Sequence, residues 1–253
     1  MKKILIIGYG NFGKLLAKQL SSFFEVFVTD KNKIREIDKN DNIKVLSNEY
    51  IEKSSTMKFD VVIFAVPVQF LQEAVDEWKR VIPESAIVMD VSSVKVFPLN
   101  ILKKTFSANK IIGTHPLFGP ESIAKKIANL KVVVSNISGS ESDVQKVKAI
   151  IGKLKYGVIE MTPDEHDREI AKAQVLSHFI GFALRDFNLQ KDFRLKTLAY
   201  RKMYGLYENV LNDSKELFAT IQSCNPYAEA MRKKLIIKLI ELDKESREIV
   251  KNQ

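Results

Sequence analysis

A single cysteine, Cys224, leaves this chain of 253 residues without any possible intrachain disulfide, and no cysteine-based metal site can be assembled from it. Histidine is almost as scarce. His115, His166 and His178 make up the three present, none of them in an HExxH pattern, so neither a structural nor a catalytic metal is expected. Long apolar runs are missing too: Val61 to Val68 and Val175 to Leu184 fall short of the roughly 20 residues a membrane helix needs, and no span is expected. The first strand starts directly after Met1-Lys2-Lys3, leaving no room for a cleavable leader, so the expected location is cytoplasmic. Net charge is +9, yet the basic residues are dispersed among acidic ones with no basic tract. That excludes an evident nucleic-acid surface and fits a basic enzyme that draws anionic ligands. Repeats and low-complexity tracts are absent as well.

What remains is the composition of a globular protein, 45% hydrophobic and 28% charged, in a chain long enough to bury a core. Residues 1 to about 135 alternate short apolar runs with amphipathic stretches, the rhythm of βαβ units, within a dinucleotide-binding domain expected over residues 1 to 160. Strands are predicted at Lys3-Ile7, Val26-Thr29, Val61-Phe64, Ala86-Met89, Lys110-Gly113 and Lys131-Val134, with helices at Gly13-Phe23 and Val68-Val81. Such a series builds an α/β doubly wound parallel sheet. From residue 161 to 253 the β-branched runs give way to helical periodicity: a long helix over 163 to 187, then Leu195 to Leu211, Ser214 to Gln222 and Tyr227 to Val250. Asp213 or Ser214 caps the third of these. Apolar residues around Phe179 to Phe187 cover more than one helical face, more than so small an all-α domain can bury alone, which points to a homodimer through these helices, the alternative being that the helix packs against the sheet domain.

The strand Ile4 to Ile7 enters Gly8-Tyr9-Gly10-Asn11-Phe12-Gly13, a GxGxxG turn that opens a helix. Gly8 permits the tight turn, Gly10 lets a pyrophosphate approach the backbone, and Gly13 lets helix and strand pack closely; Asn11 and Phe12 complete the turn. Asp30 ends the next strand, placed to accept hydrogen bonds from both adenosine ribose hydroxyls and to repel a 2′-phosphate. NAD is therefore the expected cofactor. NADP stays possible because Lys31, Lys33 and Arg35 follow closely. After Val61-Phe64, Ala65-Val66-Pro67 turns at the same carboxyl edge of the sheet, where Val66 and Pro67 either flank a nucleotide or simply start the next helix.

Two further strand ends deliver polar residues to that edge, in Asp90-Val91-Ser92-Ser93-Val94-Lys95 and in Thr114-His115-Pro116-Leu117-Phe118-Gly119-Pro120. Ser93, Lys95 and His115 are expected to gather beside the nicotinamide. Oxidising a carbon that bears a hydroxyl requires a base for the hydroxyl proton, and His115 is the candidate. His178 on the long helix either faces a cleft or is a satisfied core residue. His166, among Asp164, Glu165 and Asp167, is expected to be a capping decoration of a helix start rather than part of the chemistry.

These segments, with Glu165-His166-Asp167-Arg168, resemble the prephenate/arogenate dehydrogenases of tyrosine biosynthesis over almost the whole chain. The resemblance implies a Rossmann domain, a helical dimerisation domain, and oxidative decarboxylation of a cyclohexadienol with NAD(P) as hydride acceptor. It implies that His115 takes the hydroxyl proton, that Ser93 rather than Ser92 hydrogen-bonds the same hydroxyl and steers His115, and that His178 helps hold the substrate, with Gln174 a neighbour. Through Tyr207 to Ser214, Leu217-Phe218 and Asn225-Pro226 the chain is most similar to arogenate-type, plant-like members. Asn209 aligns where many prephenate-type members carry a substrate-binding arginine, a contact left to another residue such as Arg194 or Arg201. Arogenate carries an ammonium where prephenate has a keto group, and Asp213 is either its acidic partner or a plain helix cap. The competing expectations are another oxidoreductase of the hydroxyacid or imine-reducing kind, and a protein that senses NAD without chemistry.

Overall fold

The computed structural model describes residues 2–32, 34, 42–46 and 58–251. The chain divides into two compact units, Met1–His166 and Asp167–Gln253.

In the first unit one sheet holds strands β1 (Lys3–Ile7), β2 (Glu25–Thr29), β3 (Ile43–Val45), β4 (Val61–Phe64), β5 (Ile87–Asp90), β6 (Lys110–Pro116), β7 (Lys131–Asn136) and β8 (Gly157–Glu160), in the order β3-β2-β1-β4-β5-β6-β7-β8. From β3 to β6 every pairing is parallel, so β1, β2, β4, β5 and β6 all end on one edge. These strands read as unbroken apolar runs because both faces are covered. One face packs under the helices Asn11–Ser21 and Glu141–Lys153 through Ala17, Leu20, Val144, Val147 and Ile150. The other packs under Leu71–Trp78 and Val96–Thr105 through Leu71, Val75, Trp78, Leu99 and Leu102. The helix Glu141–Lys153 starts on a reciprocal cap, in which Ser140 accepts from the Asp143 amide and Asp143 accepts from the Ser140 amide.

The sheet is mixed rather than wholly parallel. β7 runs antiparallel to β6, placing His115 opposite Val133, and β8 is parallel to β7. The connection from β6 to β7 carries only the five-residue helix Pro120–Ala124, too short to return the chain to the far end of the sheet. Two strands beyond the six predicted, β3 and β8, are short and partly exposed, and so lack the apolar signature of their neighbours. β6 extends three residues past its predicted end, which puts His115 inside a strand instead of a loop.

The second unit is all-α. The long helix that enters it begins at Pro163–Ile170 and continues as a π turn at Ala171–Val175, Leu176–Ala183 and a 3₁₀ turn at Leu184–Phe187, ended by Asn188 in the left-handed region. The helices Leu198–Val210, Lys215–Ser223 and Ala228–Lys251 follow. Ser214, not Asp213, caps the third, its hydroxyl accepting from the Leu217 amide. The buried core of this unit is small, built on Ala171, Val175, Ile221 and Ala228. Among the described residues no helix is long and apolar enough to cross a membrane.

Candidate functional site

The GxGxxG turn is built as its steric logic requires. Gly8 sits at φ +106°, and a Cβ there would stand 2.7 Å from the Ala65 backbone and 2.9 Å from a Val66 methyl. A Cβ on Gly13 would lie 2.1 Å from the Gly8 carbonyl oxygen. Gly10 differs: among the described residues a Cβ there meets nothing within 4 Å. It caps the helix Asn11–Ser21, and no side chain takes that cap, so the first-turn amides face an open cradle that suits an anion. Gly8 and Gly13 thus set the close packing of the turn that holds Asn11 and Phe12, and Gly10 leaves the open space at the helix start.

Asp30 stands beside this cradle. Its carboxylate accepts from the Tyr9 amide at 2.7 Å and from the Asn32 amide at 2.8 Å, tying the glycine turn to the end of β2. Each oxygen keeps a lone pair for a further donor, so bracing the turn does not use up the carboxylate. Of the cations that could soften its repulsion of a 2′-phosphate, Lys31 lies over the Phe70 ring at 3.9 Å, and Lys33 and Arg35 fall outside the described residues. Val66 abuts Gly8, whereas Pro67 precedes the 3₁₀ turn Val68–Phe70 and accepts from the Phe70 amide, the structural alternative for that proline.

At the ends of β5 and β6 the expected polar group separates into two layers. Lys95 does not reach a ligand-facing position. It is fully buried, with Nζ donating to Asp90 Oδ2 at 2.5 Å and to the Thr114 carbonyl at 2.7 Å. Asp90 Oδ2 also accepts from the Ser92 amide, and the Thr114 hydroxyl donates to the Asp90 carbonyl. An ion pair this deep costs heavily in desolvation, and what it fixes is the register of the two strand ends that carry Ser92, Ser93 and His115. Ser92 and Ser93 are half-buried in the turn above it.

His115 is 5% exposed and His166 1%. Their Nδ1 and Nε2 atoms lie 2.8 Å apart, with the rings edge-on at 73°. His166 is therefore a buried partner of His115 and not a capping decoration; the cap at that helix start is Thr162, whose hydroxyl accepts from the Glu165 amide. The sequence signal for this pairing was present only as two histidines of unknown separation in space. Burial, the neighbouring His166 and the Lys95 ammonium together hold His115 well below the ordinary histidine value of 6.5. A neutral imidazole that donates from Nδ1 in this contact would have Nε2 left to accept a proton.

In the second unit His178 Nε2 meets Asp213 Oδ2 at 2.8 Å, and the imidazole lies against Phe182 and Phe218. Among the described residues, His178 Nδ1 and Gln174 Oε1 are buried and find no hydrogen-bond partner. Gln174 belongs to the π turn, whose displaced carbonyls are taken up by side chains: Ser177 donates to Ala173 and Gln174, and Gln222 to Val175. Arg185, two turns beyond His178 on the same face, stacks on Phe182 at 3.7 Å and donates to the Val210 and Asp213 carbonyls. It is a cation that sequence reasoning missed, whereas Arg194, Arg201 and Asn209 are exposed.

A parallel sheet core with a glycine-lined turn at its carboxyl edge, followed by an all-α region, defines a Rossmann-type nucleotide-binding protein. Residues 15–157 match the prephenate dehydrogenase nucleotide-binding domain, more than half of the chain, and the chain belongs to the prephenate/arogenate dehydrogenase family. It is 27% identical over 98% of its length to a probable arogenate/prephenate dehydrogenase of Methanocaldococcus jannaschii. It is 26% identical over 89% of its length to the chloroplastic arogenate dehydrogenase 2 of Arabidopsis thaliana. The chain spans 56% and 64% of the lengths of these two relatives. A prephenate dehydrogenase from A. aeolicus, solved with hydroxyphenyl propionate and NAD+, superimposes with a TM-score of 0.71 at 20% identity, covering 98% of this chain and 92% of that one. At that identity the likeness speaks to the fold.

Proposed function

We propose that this chain catalyses the oxidative decarboxylation of a cyclohexadienol, arogenate or prephenate, with NAD as cofactor. One observation carries it: a buried, neutral histidine with its Nδ1 engaged ends a strand on the same sheet edge as a glycine cradle fit for a dinucleotide. The roles follow. Gly8, Gly10, Asn11, Phe12 and Gly13 hold the pyrophosphate, Asp30 the adenosine ribose, and Val66 and Pro67 border the cofactor. NAD supplies the hydride acceptor. His115 Nε2 takes the hydroxyl proton while Ser93 donates to the same oxygen, Ser92 being its neighbour in the turn. The ring carboxylate leaves as carbon dioxide and the ring becomes aromatic. His178 and Gln174 contact the substrate.

Within this reading we infer a preference for arogenate. Asp213 is held against His178 and is not consumed as a helix cap, so its charge is available to an ammonium group. Asp213→Asn is expected to lower the ratio of kcat/KM for arogenate over prephenate by about tenfold, equivalent to ~1.4 kcal/mol. An unchanged ratio removes Asp213 from the assignment.

We further propose that the helical unit, residues 161–253 in the division expected from sequence against 1–160 for the dinucleotide domain, joins a second copy. Its small core leaves Phe187, Leu195, Leu198, Ile237 and Ile240 more than half exposed. Sedimentation equilibrium at micromolar concentration is expected to return twice the chain mass; a monomer would rule the dimer out.

A further inference from the structure

The His115–His166 contact has a consequence for catalysis that rests on the proposed role of His115 as base. A base accepts a proton only where it has a lone pair. For Nε2 of a neutral His115 to do so, its hydrogen must sit on Nδ1, the form that an unconstrained imidazole in water populates less. A buried Nδ1–H needs an acceptor. The group 2.8 Å from it is His166 Nε2, which accepts when the hydrogen of His166 sits on its own Nδ1.

We infer that His166 is a positioning residue that holds His115 in the tautomer able to act as base. His166 is well placed to be rigid. It is 1% exposed, lies four residues past Thr162 in the first turn of its helix, and donates its backbone amide to the Thr162 carbonyl. Thr162 is itself pinned by its reciprocal cap with Glu165. On the other side, His115 is fixed in β6 between its neighbours β5 and β7, with the Asp90–Lys95–Thr114 tie directly beneath. Neither ring is free to seek another geometry. When the proton arrives, the substrate O–H bond breaks, an N–H bond forms at His115 Nε2, and the Nδ1–H to His166 becomes a charge-assisted hydrogen bond. The same contact that selects the tautomer then stabilises the imidazolium.

Two substitutions separate hydrogen bonding from packing. His166→Gln keeps an acceptor near the position of Nε2, and His166→Phe keeps a ring of similar shape without one. Three histidines in the chain make ring nitrogen-15 spectra after histidine labelling simple to assign. In the wild type His115 is expected to show a protonated Nδ1 and a bare Nε2, with no substrate present. His166→Gln should preserve that pattern and keep kcat within about tenfold, and His166→Phe should move the hydrogen to Nε2 and lower kcat by about 10²-fold or more with KM little changed. Wild-type His115 protonated at Nε2 would overturn the inference, as would a His166→Phe protein with tautomer and kcat intact. Should His166→Phe fail to fold, the wild-type and His166→Gln spectra still decide. Because the spectra need no substrate, an Nδ1–H form of His115 in a chain that turned over neither cyclohexadienol would support the pairing while removing the proposed reaction.

Discussion

Replacing His115 with asparagine is expected to lower turnover by about 10²–10⁴-fold, the range that a positioned general base contributes, while leaving NAD affinity within about threefold of wild type. The size follows from what the strand supplies. His115 is buried, held neutral, and bonded at one nitrogen, so the other is a lone pair at a fixed position rather than one that water competes for. Asparagine at this position can reach His166 but has no basic atom left over. Since burial and the two neighbouring cationic or protonatable groups hold His115 below 6.5, the acid limb of kcat/KM is expected to lie below that pH as well. The sign is direct: a base whose protonation is pushed to lower pH stays active to lower pH. Substrate titrations of the wild type across the acid range, and of the variant beside it, check both points. Retained turnover would place the base elsewhere.

The second large effect concerns two glycines that look alike in sequence and differ in space. Gly13→Ala is expected to cost about 3 kcal/mol or more in stability, because its Cβ would stand 2.1 Å from a backbone carbonyl oxygen that cannot move without opening the glycine turn. Gly10→Ala should change stability by about 1 kcal/mol at most, the scale of a cap substitution, since its Cβ meets nothing within 4 Å and its φ of −71° suits any residue. The open space is the point. If a pyrophosphate sits there, the added methyl is expected to weaken NAD binding more than tenfold in a protein that remains folded. Urea unfolding and NAD titration of both variants separate the two roles, and a Gly10→Ala protein with wild-type NAD affinity would move the phosphates off this turn.

That contrast shows where sequence was informative. The glycine turn was legible because each glycine answers a local steric demand, and local demands are written in consecutive residues. Asp30 was legible as a strand-ending carboxylate, though not its second task of bracing the Tyr9 amide. β7 was legible as a strand but not in direction, because direction is set by how the preceding connection crosses the sheet. His166 lay beyond reach for a different reason. Its acidic neighbours on the helix suggested a solvated position, and only the fold brings it 51 residues back to His115. Lys95 misled in the opposite sense, since a lysine near a strand end reads as a ligand contact and here is spent on Asp90. Asp213 and Ser214 are adjacent, and either could have capped the helix; with Ser214 in that place, the carboxylate of Asp213 meets His178.

The most direct measurement is to incubate the purified chain with NAD and either arogenate or prephenate and to follow NADH and carbon dioxide together. Equal amounts of both, formed as an aromatic product accumulates and lost in His115→Asn, are the predicted result. Tight NAD binding with neither NADH nor carbon dioxide from either substrate would contradict it.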